Sequence, residues 1–433
     1  MKYDLTFIGA GPSTIFALLK LIEKEYKGKI LIIEKGKSTK IRKKNEVISG
    51  WAGAGCWSDS KISSALDVGG TIPGLTQQSL DKFDIKMLET LNRFKQETHN
   101  KEILNWNITN GYDTKDSTLE WNTHKTCHIG TECGRAIYEK MEDFISSQPN
   151  IEIKFETEVL DIDGSEYDYK LSLQDNSIIE TERVILATGQ KNTLPSRVIE
   201  KFKLRSKPRA FQLGIRVEDI INPQYESIIK ANYDFKFVKE YSYGDIKVRV
   251  RTFCCNSGNA HTCAEKAVEG FTCFNGHAFK ELDPNNKTVN YGIMCEIEGL
   301  NQYETKEDQI DLMKRINSIE GWKDDNFGNN TVNPLPRRKL LEGFPQLENY
   351  YPKEAILSLQ DFIISLSKLV DLSQAKYLYP ETKLSGKTPT LNYRTFETTS
   401  KGLYMIGDCA CSRGISKSSY TGYRFAKSFL KGE

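Results

Sequence analysis

The sequence has 433 residues, enough to bury a large core and to form two domains. Its 60 basic and 58 acidic residues leave a formal net charge of +2, which gives no broad field to draw a polyanion, so nucleic acid is not an expected partner. No apolar run approaches the roughly 20 residues of a membrane span. The first predicted strand begins near Tyr3, which leaves no room for a signal or transit peptide. Ten cysteines in such a chain read as reduced thiols, and a cytoplasmic location is expected.

Apolar residues crowd Leu5 to Ile8, and Gly9, Ala10, Gly11, Pro12, Ser13 and Thr14 follow. A helical pattern (Ile15, Leu18, Leu19, Ile22) leads to a second strand, Ile30 to Ile33, ending on Glu34 and Lys35. Strand, glycine turn, helix, strand and acid come in the order of a dinucleotide-binding βαβ unit. Gly9 allows the sharp turn, and Gly11 lets the backbone approach a pyrophosphate at the helix N-terminus. Glu34 is positioned to accept hydrogen bonds from ribose hydroxyls and to repel a 2′-phosphate, which suits FAD or NAD better than NADP. Thr14 stands where the third glycine of the pattern is usual, a β-branched residue at a point of close helix–strand packing.

A basic connector, Lys35 to Lys44, precedes ISGWAGAGCWSDSKISSALDVGG. The small residues Ala52 to Gly55 suit either a surface loop or a close approach to a ligand, and Ser58 to Lys61 add polar groups. Leu80, Phe83, Met87, Leu91 and Phe94 recur at helical spacing. A helix with Ile137, Met141, Phe144 and Ile145 follows His124 to Gly134. Strands are expected at Ile151 to Thr157, leading to Val159, at Tyr169 to Leu173 and at Ile178 to Ile179. A buried strand, Arg183 to Gln190, ends in Ala187-Thr188-Gly189.

From about Lys207 strands are expected at Ala210 to Val217, Phe235 to Tyr241, Ile246 to Thr252 and Val289 to Ile297. A Cys- and Gly-rich stretch, Phe253 to Gly276, interrupts them, and helices follow at Lys306 to Ile316 and Lys353 to Val370. The chain returns to a strand at Leu403 to Ile406, a turn at Gly407-Asp408 and a helix from Gly414 onward. The expected fold is α/β: a discontinuous Rossmann-like FAD-binding domain, 1–205 and 385–433, carrying an inserted, strand-rich α+β substrate domain, 206–384.

The glycine turn, the Ala187-Thr188-Gly189 segment and Gly402-Leu403-Tyr404 with Gly407-Asp408 together resemble the two-dinucleotide-binding-domain flavoproteins. Within them, the chain is similar to the uncharacterised FAD-dependent (NAD(FAD)-utilising) dehydrogenases. Ala52 to Lys61 resembles that family's G-G-A-G-x-x-S-D-G-K loop, with Ala52 and Ser60 each replacing a glycine. His128 to Thr131, Gly214 to Glu218 and Arg251 to Cys254 match its H-I-G-T, G-x-R-x-E and R-T-F-C segments. The resemblance implies FAD as cofactor, with Asp408 and Gly407 on the ribityl and pyrophosphate part. It also implies the helix from Ile415 pointing at the flavin, and Val159 near the adenine through backbone groups. Cys255 to Asn259 and Cys409 to Arg413 depart from the family's pattern on segments that could line the substrate side.

Gly9, Gly11, Pro12, Ser13, Glu34, Lys35, Val159, Gly189, Gly407, Asp408 and Ile415 are thus the candidate cofactor residues. Lys61, His128, Cys254 and Cys409 are the catalytic candidates, beside structural readings of each; His261 and His277 are further acid–base candidates. Arg216, Arg251 and Arg413, and the run Arg337-Arg338-Lys339, are candidates for holding a substrate anion. The cysteines lack paired C-x-x-C spacing, so no metal site is expected. No second G-x-G-x-x-G is present, so the flavin's reductant is the substrate, a transiently docked NAD(P)H or a protein partner. The expected function is an FAD-dependent oxidoreductase or dehydrogenase acting on a small organic substrate. An RNA-modifying flavoprotein and a non-catalytic or regulatory one remain alternatives.

Overall fold

A computed structural model of the chain describes residues 2–43, 46–98, 102–108, 111–114, 117–190, 192–258, 260–266, 271–278, 287–303, 305–318, 347–384 and 386–433. The fold is α/β. It divides into one unit made of Met1–Trp106, Cys127–Lys207 and Thr388–Glu433, and a second made of Asn107–Thr126 and Pro208–Lys387.

The first unit is built on a seven-stranded sheet, six strands in the order Ile151–Lys154, Ile30–Ile33, Lys2–Ile8, Ile178–Leu186, Asp168–Leu173 and Val159–Ser165, with Leu403–Met405 the seventh, beside Ile178–Leu186. The strands from Ile151–Lys154 to Ile178–Leu186 are parallel, and the last two turn back antiparallel. Leu5, Phe7, Leu31 and Ile32 have no exposed surface, as parallel strands covered on both faces require. Ile178–Leu186 is one nine-residue strand where the sequence suggested two. Its length lets one edge serve two neighbours: residues 178–181 pair with Asp168–Leu173, and 184–186 pair with Leu403–Met405.

The helix Pro12–Glu23 lies against the last helix, Ile415–Phe429. Phe425 of that helix fits edge-on to Phe7 and Tyr404, with ring centroids 6.0 and 5.0 Å away. Thr14 resolves the missing third glycine without strain: its Oγ1 donates to the Gly9 carbonyl at 2.7 Å. The residue that permits close packing sits on the facing helix instead. A Cβ added at Gly422 would stand 1.8 Å from the Ser13 carbonyl oxygen.

The second unit has an antiparallel six-stranded sheet in the order Lys376–Lys383, Phe211–Ile220, Thr288–Glu298, Ile246–Gly258, Phe237–Tyr243 and Glu120–Trp121. The helix Lys353–Leu366 packs on it, turning Leu359 and Phe362 fully inward. Residues 107–126, expected with the first domain, belong here instead. Glu120–Trp121 is the edge strand, Trp121 packs 5.2 Å from the Phe237 ring, and Ser117 Oγ donates to the Ser365 carbonyl at 3.0 Å. The Cys- and Gly-rich stretch is not an interruption. The strand expected to end at Thr252 runs on to Gly258, and Ala260–Lys266 pairs with Thr272–Ala278 as a hairpin. No alternation was there to read in the sequence: at a register shift between Phe253 and Asn256 the adjacent Cys255 and Asn256 are both buried, and Thr272–Ala278 is buried almost throughout.

Candidate functional site

Five segments far apart in sequence converge at the carboxyl end of the Lys2–Ile8 strand, where open α/β sheets bind their ligands. The first is the glycine turn. Gly9 has φ +99, and a Cβ there would lie 2.6 Å from the Ala187 carbonyl oxygen, so only glycine lets the turn press against the neighbouring strand. Gly11 differs: its φ is −74, and a Cβ would meet nothing within 4 Å. Its bare face borders open space at the first turn of the Pro12–Glu23 helix, whose amides have no intrahelical acceptors. Pro12, at the start of the helix, has no N–H to leave unsatisfied.

Glu34 is the second. Its Oε2 accepts from the Ala10 amide at 2.8 Å, and its Oε1 accepts from the Gly36 and Gly50 amides at 2.8 and 2.9 Å. A carboxylate has about four acceptor positions. Three are taken by backbone, so one position on Oε2 is left for a ribose hydroxyl, fewer than the sequence suggested. Lys35 follows it, half-buried.

The third segment is the loop from Gly50 to Lys61, and here a surface-loop reading fails. It forms a short helix, Gly53–Trp57, and Trp57, Ser58, Asp59 and Ser60 are all buried. The Ala52 amide donates to the Ala10 carbonyl at 2.9 Å, and a Cβ built on Gly53 would lie 3.4 Å from Gly11 Cα. Ala52 and Ser60, the two positions where the resembling family has glycine, have φ +70 and +52. Those values explain a glycine preference, and here two L-residues carry the strain. Lys61 Nζ stands 3.5 Å from Asp59 Oδ2, both side chains buried, and the Asp59 carbonyl accepts from Gly130 just after His128.

Arg42 holds this loop in place, a role hidden by its position among lysines in the expected basic connector. Its guanidinium donates to the carbonyls of Glu46 (2.7 Å), Val47 (2.6 Å), Trp51 (2.6 Å) and Gly53 (3.2 Å). Burial pushes its pKa down to about 9. The one signal was arginine itself, whose five donors form a fork that lysine lacks. Arg42 and Arg135 both lie over the Trp57 ring, 4.6 and 4.4 Å from a centroid.

Ala187 to Gln190 and Gly407 to Ile415 complete the site. Thr188 Oγ1 is buried without a hydrogen-bond partner, and Gly189, at φ +69, faces open space. Gln190 donates through Nε2 to the Asp408 carbonyl. Gly407, at φ +71, receives Thr421 Oγ1 as the acceptor of its amide at 2.8 Å. A Cβ at Gly407 would fall 2.7 Å from Ser13 Oγ, which brings the first and last nucleotide motifs together. The Asp408 carboxylate is 3.8 Å from Arg413 Nε, and Ile415 opens the last helix within 3.2 Å of a Cβ built on Gly55. Lys417, two residues on, donates to the Leu66 carbonyl at 2.7 Å and to that of Gly70; burial lowers its pKa to about 8.

The remaining candidates are placed as follows. Val159 is buried in the Val159–Ser165 strand opposite Leu173. Cys409 is in the core, its thiol donating to the Leu186 and Ile406 carbonyls at 3.2 and 3.1 Å, which is the environment of a structural thiol rather than a nucleophile. Cys254 is in the second unit at φ +50. Arg251 is engaged by Glu296 at 2.7 Å, and Arg216 by Glu381 at 2.9 Å. His277 is buried, His261 lies in Ala260–Lys266, and Arg337-Arg338-Lys339 lies outside the described residues. Among the described residues no group of three or more His, Cys, Asp or Glu is placed to hold a metal ion, and no helix is long and apolar enough to cross a membrane.

No protein-family model matches the chain, and no curated protein does. Among solved structures it is similar to CtdE in complex with FAD and a substrate, at 11% identity over 100% of this chain and 82% of that one, with a TM-score of 0.43. A flavoprotein/dehydrogenase from Cytophaga hutchinsonii gives 15% identity, 100% and 80% coverage and a TM-score of 0.42. A tetracycline destructase gives 10%, 100% and 83% with 0.40. At TM-scores this low the likenesses do not speak for this chain's chemistry, which rests on its own residues.

Proposed function

We propose that the first unit binds FAD and that the protein is an FAD-dependent oxidoreductase acting on a small organic substrate. The observation that carries the reading is Gly11: its side-chain-free face borders open space at a helix N-terminus, while Glu34, one acceptor position still open, is pinned to the adjoining Ala10 amide. The residues present fit the group. The first-turn amides of Pro12–Glu23 suit the pyrophosphate, Oε2 of Glu34 a ribose hydroxyl, and the segment from Gly407 to Ile415 the ribityl end. Thr188, a buried hydroxyl without a protein partner, and the open face of Gly189 border the same region. FAD, when bound, supplies hydride or electron transfer.

The protein's share is position and electrostatics. Arg42 fixes the Gly50–Lys61 loop, the loop meets Gly11 and Ile415, and Lys61 is held beside Asp59 with both side chains buried, so the loop would present a paired, net-neutral polar group to a bound flavin. The substrate, and whether the reaction is a dehydrogenation or an oxygenation, belong to the same proposal. The test is the absorption spectrum of the purified protein, followed by anaerobic mixing with NADH and NADPH. A yellow protein releasing FAD on denaturation supports the reading, and bleaching on mixing identifies a nicotinamide as reductant. A colourless protein that cannot be reconstituted with FAD overturns it.

A further inference from the structure

The second unit contains a polar cluster that its own fold leaves incomplete. Arg216 of Phe211–Ile220, Asn290 of Thr288–Glu298 and Asn256 of Ile246–Gly258 meet on one face of the sheet with no exposed surface. Asn256 and Asn290 are cross-strand partners, and Arg216 stands on the other side of the same central strand, opposite Gly292. Arg216 Nη1 donates to Asn290 Oδ1 at 3.1 Å and to the Cys254 carbonyl at 3.0 Å. Asn256 Nδ2 donates to the same two acceptors, at 3.1 and 3.0 Å.

These bonds fix both amides. Arginine only donates, so the Asn290 atom facing it is oxygen and the other is an NH₂ donor. A backbone carbonyl only accepts, so the Asn256 atom facing Cys254 is nitrogen and the other is an oxygen acceptor. Two donors and one acceptor remain: Arg216 Nη2, Asn290 Nδ2 and Asn256 Oδ1. All three are buried and have no hydrogen-bond partner. Buried polar atoms are nearly always paired, and three orphans in one cluster indicate partners from outside the chain.

Charge narrows the partner. Arg216 Nε is 2.9 Å from Glu381 Oε2, with both side chains buried, so the guanidinium is already neutralised and an anion would meet the Glu381 carboxylate. The backbone is shaped around the cluster. Cys254, at φ +50, lies in a register shift between Phe253 and Asn256, a bulge that delivers its carbonyl to both donors. Gly276 of the hairpin lies against the cluster, where a Cβ would come within 2.1 to 2.7 Å of all three side chains.

We propose that this cluster is a binding site for a neutral planar group that both accepts and donates hydrogen bonds, a carboxamide or a lactam. The carbonyl oxygen of the ligand accepts from Arg216 Nη2 or Asn290 Nδ2, and its N–H donates to Asn256 Oδ1. The site stands whether or not the first unit binds FAD.

Saturation-transfer NMR on the full chain tests it, with nicotinamide and 2-pyridone as neutral probes and benzoate as the charged control. Both neutral probes bind, benzoate does not, and Asn290→Asp, which removes the Nδ2 donor without changing volume, weakens the neutral probes by roughly tenfold or more. No binding of either neutral probe, equal binding of benzoate, or unchanged affinity in the variant overturns the proposal. If Asn290→Asp does not fold, a crystal of the natural protein soaked with nicotinamide decides. Density for the carboxamide against Arg216 Nη2 and Asn256 Oδ1 supports the site, and ordered water alone at those atoms overturns it.

Discussion

Gly422 and Ser13 stand so close that a single methyl group at 422 would reach within 1.8 Å of the Ser13 carbonyl oxygen. Backbone cannot retreat as a flexible side chain can, so the two helices would have to move apart. Gly422→Ala is expected to cost about 1–3 kcal/mol, as overpacking does, or more. Thermal unfolding checks this, and an unchanged midpoint would show that the helices are not in contact as described.

Two glycines of one turn predict opposite outcomes. At Gly9 an alanine meets the Ala187 carbonyl at 2.6 Å and a φ of +99, so Gly9→Ala lowers the unfolding temperature by several degrees. At Gly11 the same methyl meets nothing, so Gly11→Ala costs at most the roughly 1 kcal/mol of a poorer helix N-cap and weakens FAD. Measuring both quantities on both variants separates a packing role from a ligand role.

Ala52 and Ser60 hold left-handed backbone without being glycine. Ala52→Gly releases that strain and is expected to stabilise the protein by about 1 kcal/mol. Ser60→Gly gains the same relief but loses the 2.6 Å hydrogen bond from Oγ to the Cys56 carbonyl, so its net effect is close to zero. Denaturant midpoints of the two variants, compared at equal slope, distinguish them.

Cys409 is predicted to be inert. Its thiol serves two carbonyls inside the core, so a thiol-reactive reagent labels it only on unfolding. Cys409→Ser retains a donor at the same place and is expected to change stability by about 1 kcal/mol or less. Rapid labelling of folded protein at this residue, read by mass spectrometry, would reverse the assignment.

Lys417 gives a pH dependence. Burial lowers its pKa to about 8, below the 10.5 of the unfolded chain, so between those values the unfolded state holds a proton that the folded state has lost. The cost of burying the charge is therefore fully present below about pH 8 and is relieved as pH rises towards 10.5. The neutral amine still has two N–H groups for the Leu66 and Gly70 carbonyls. Between pH 7.5 and 9.5 the unfolding midpoint of the natural protein rises relative to that of Lys417→Met. A parallel pair of curves would contradict the shift.

The periodic elements and the opening βαβ unit were legible because strand, glycine turn and acid lie within one short stretch. What escaped was set by side chains acting on distant backbone. Arg42 looked like one cation among lysines, yet it makes five bonds to four carbonyls of a loop several residues away. Gly422 carries the close packing that the motif assigns to the position of Thr14, and no local pattern announces a glycine on a helix more than 400 residues later. Residues 107–126 were misplaced because a two-residue edge strand has no periodicity to read. The free ends of Asn256 and Asn290 emerge only once their strands are paired in register.

The divided edge of Ile178–Leu186 ties assembly of the nucleotide-binding sheet to the order of synthesis. Positions 184–186 await Leu403–Met405, which leave the ribosome only after the whole of the second unit has been made. Until then a short parallel edge stands open, with its amides and carbonyls available to any strand that arrives first. A nascent chain stalled before residue 403 would carry that opening indefinitely, so arrival of Leu403–Met405 also closes this edge to outside strands.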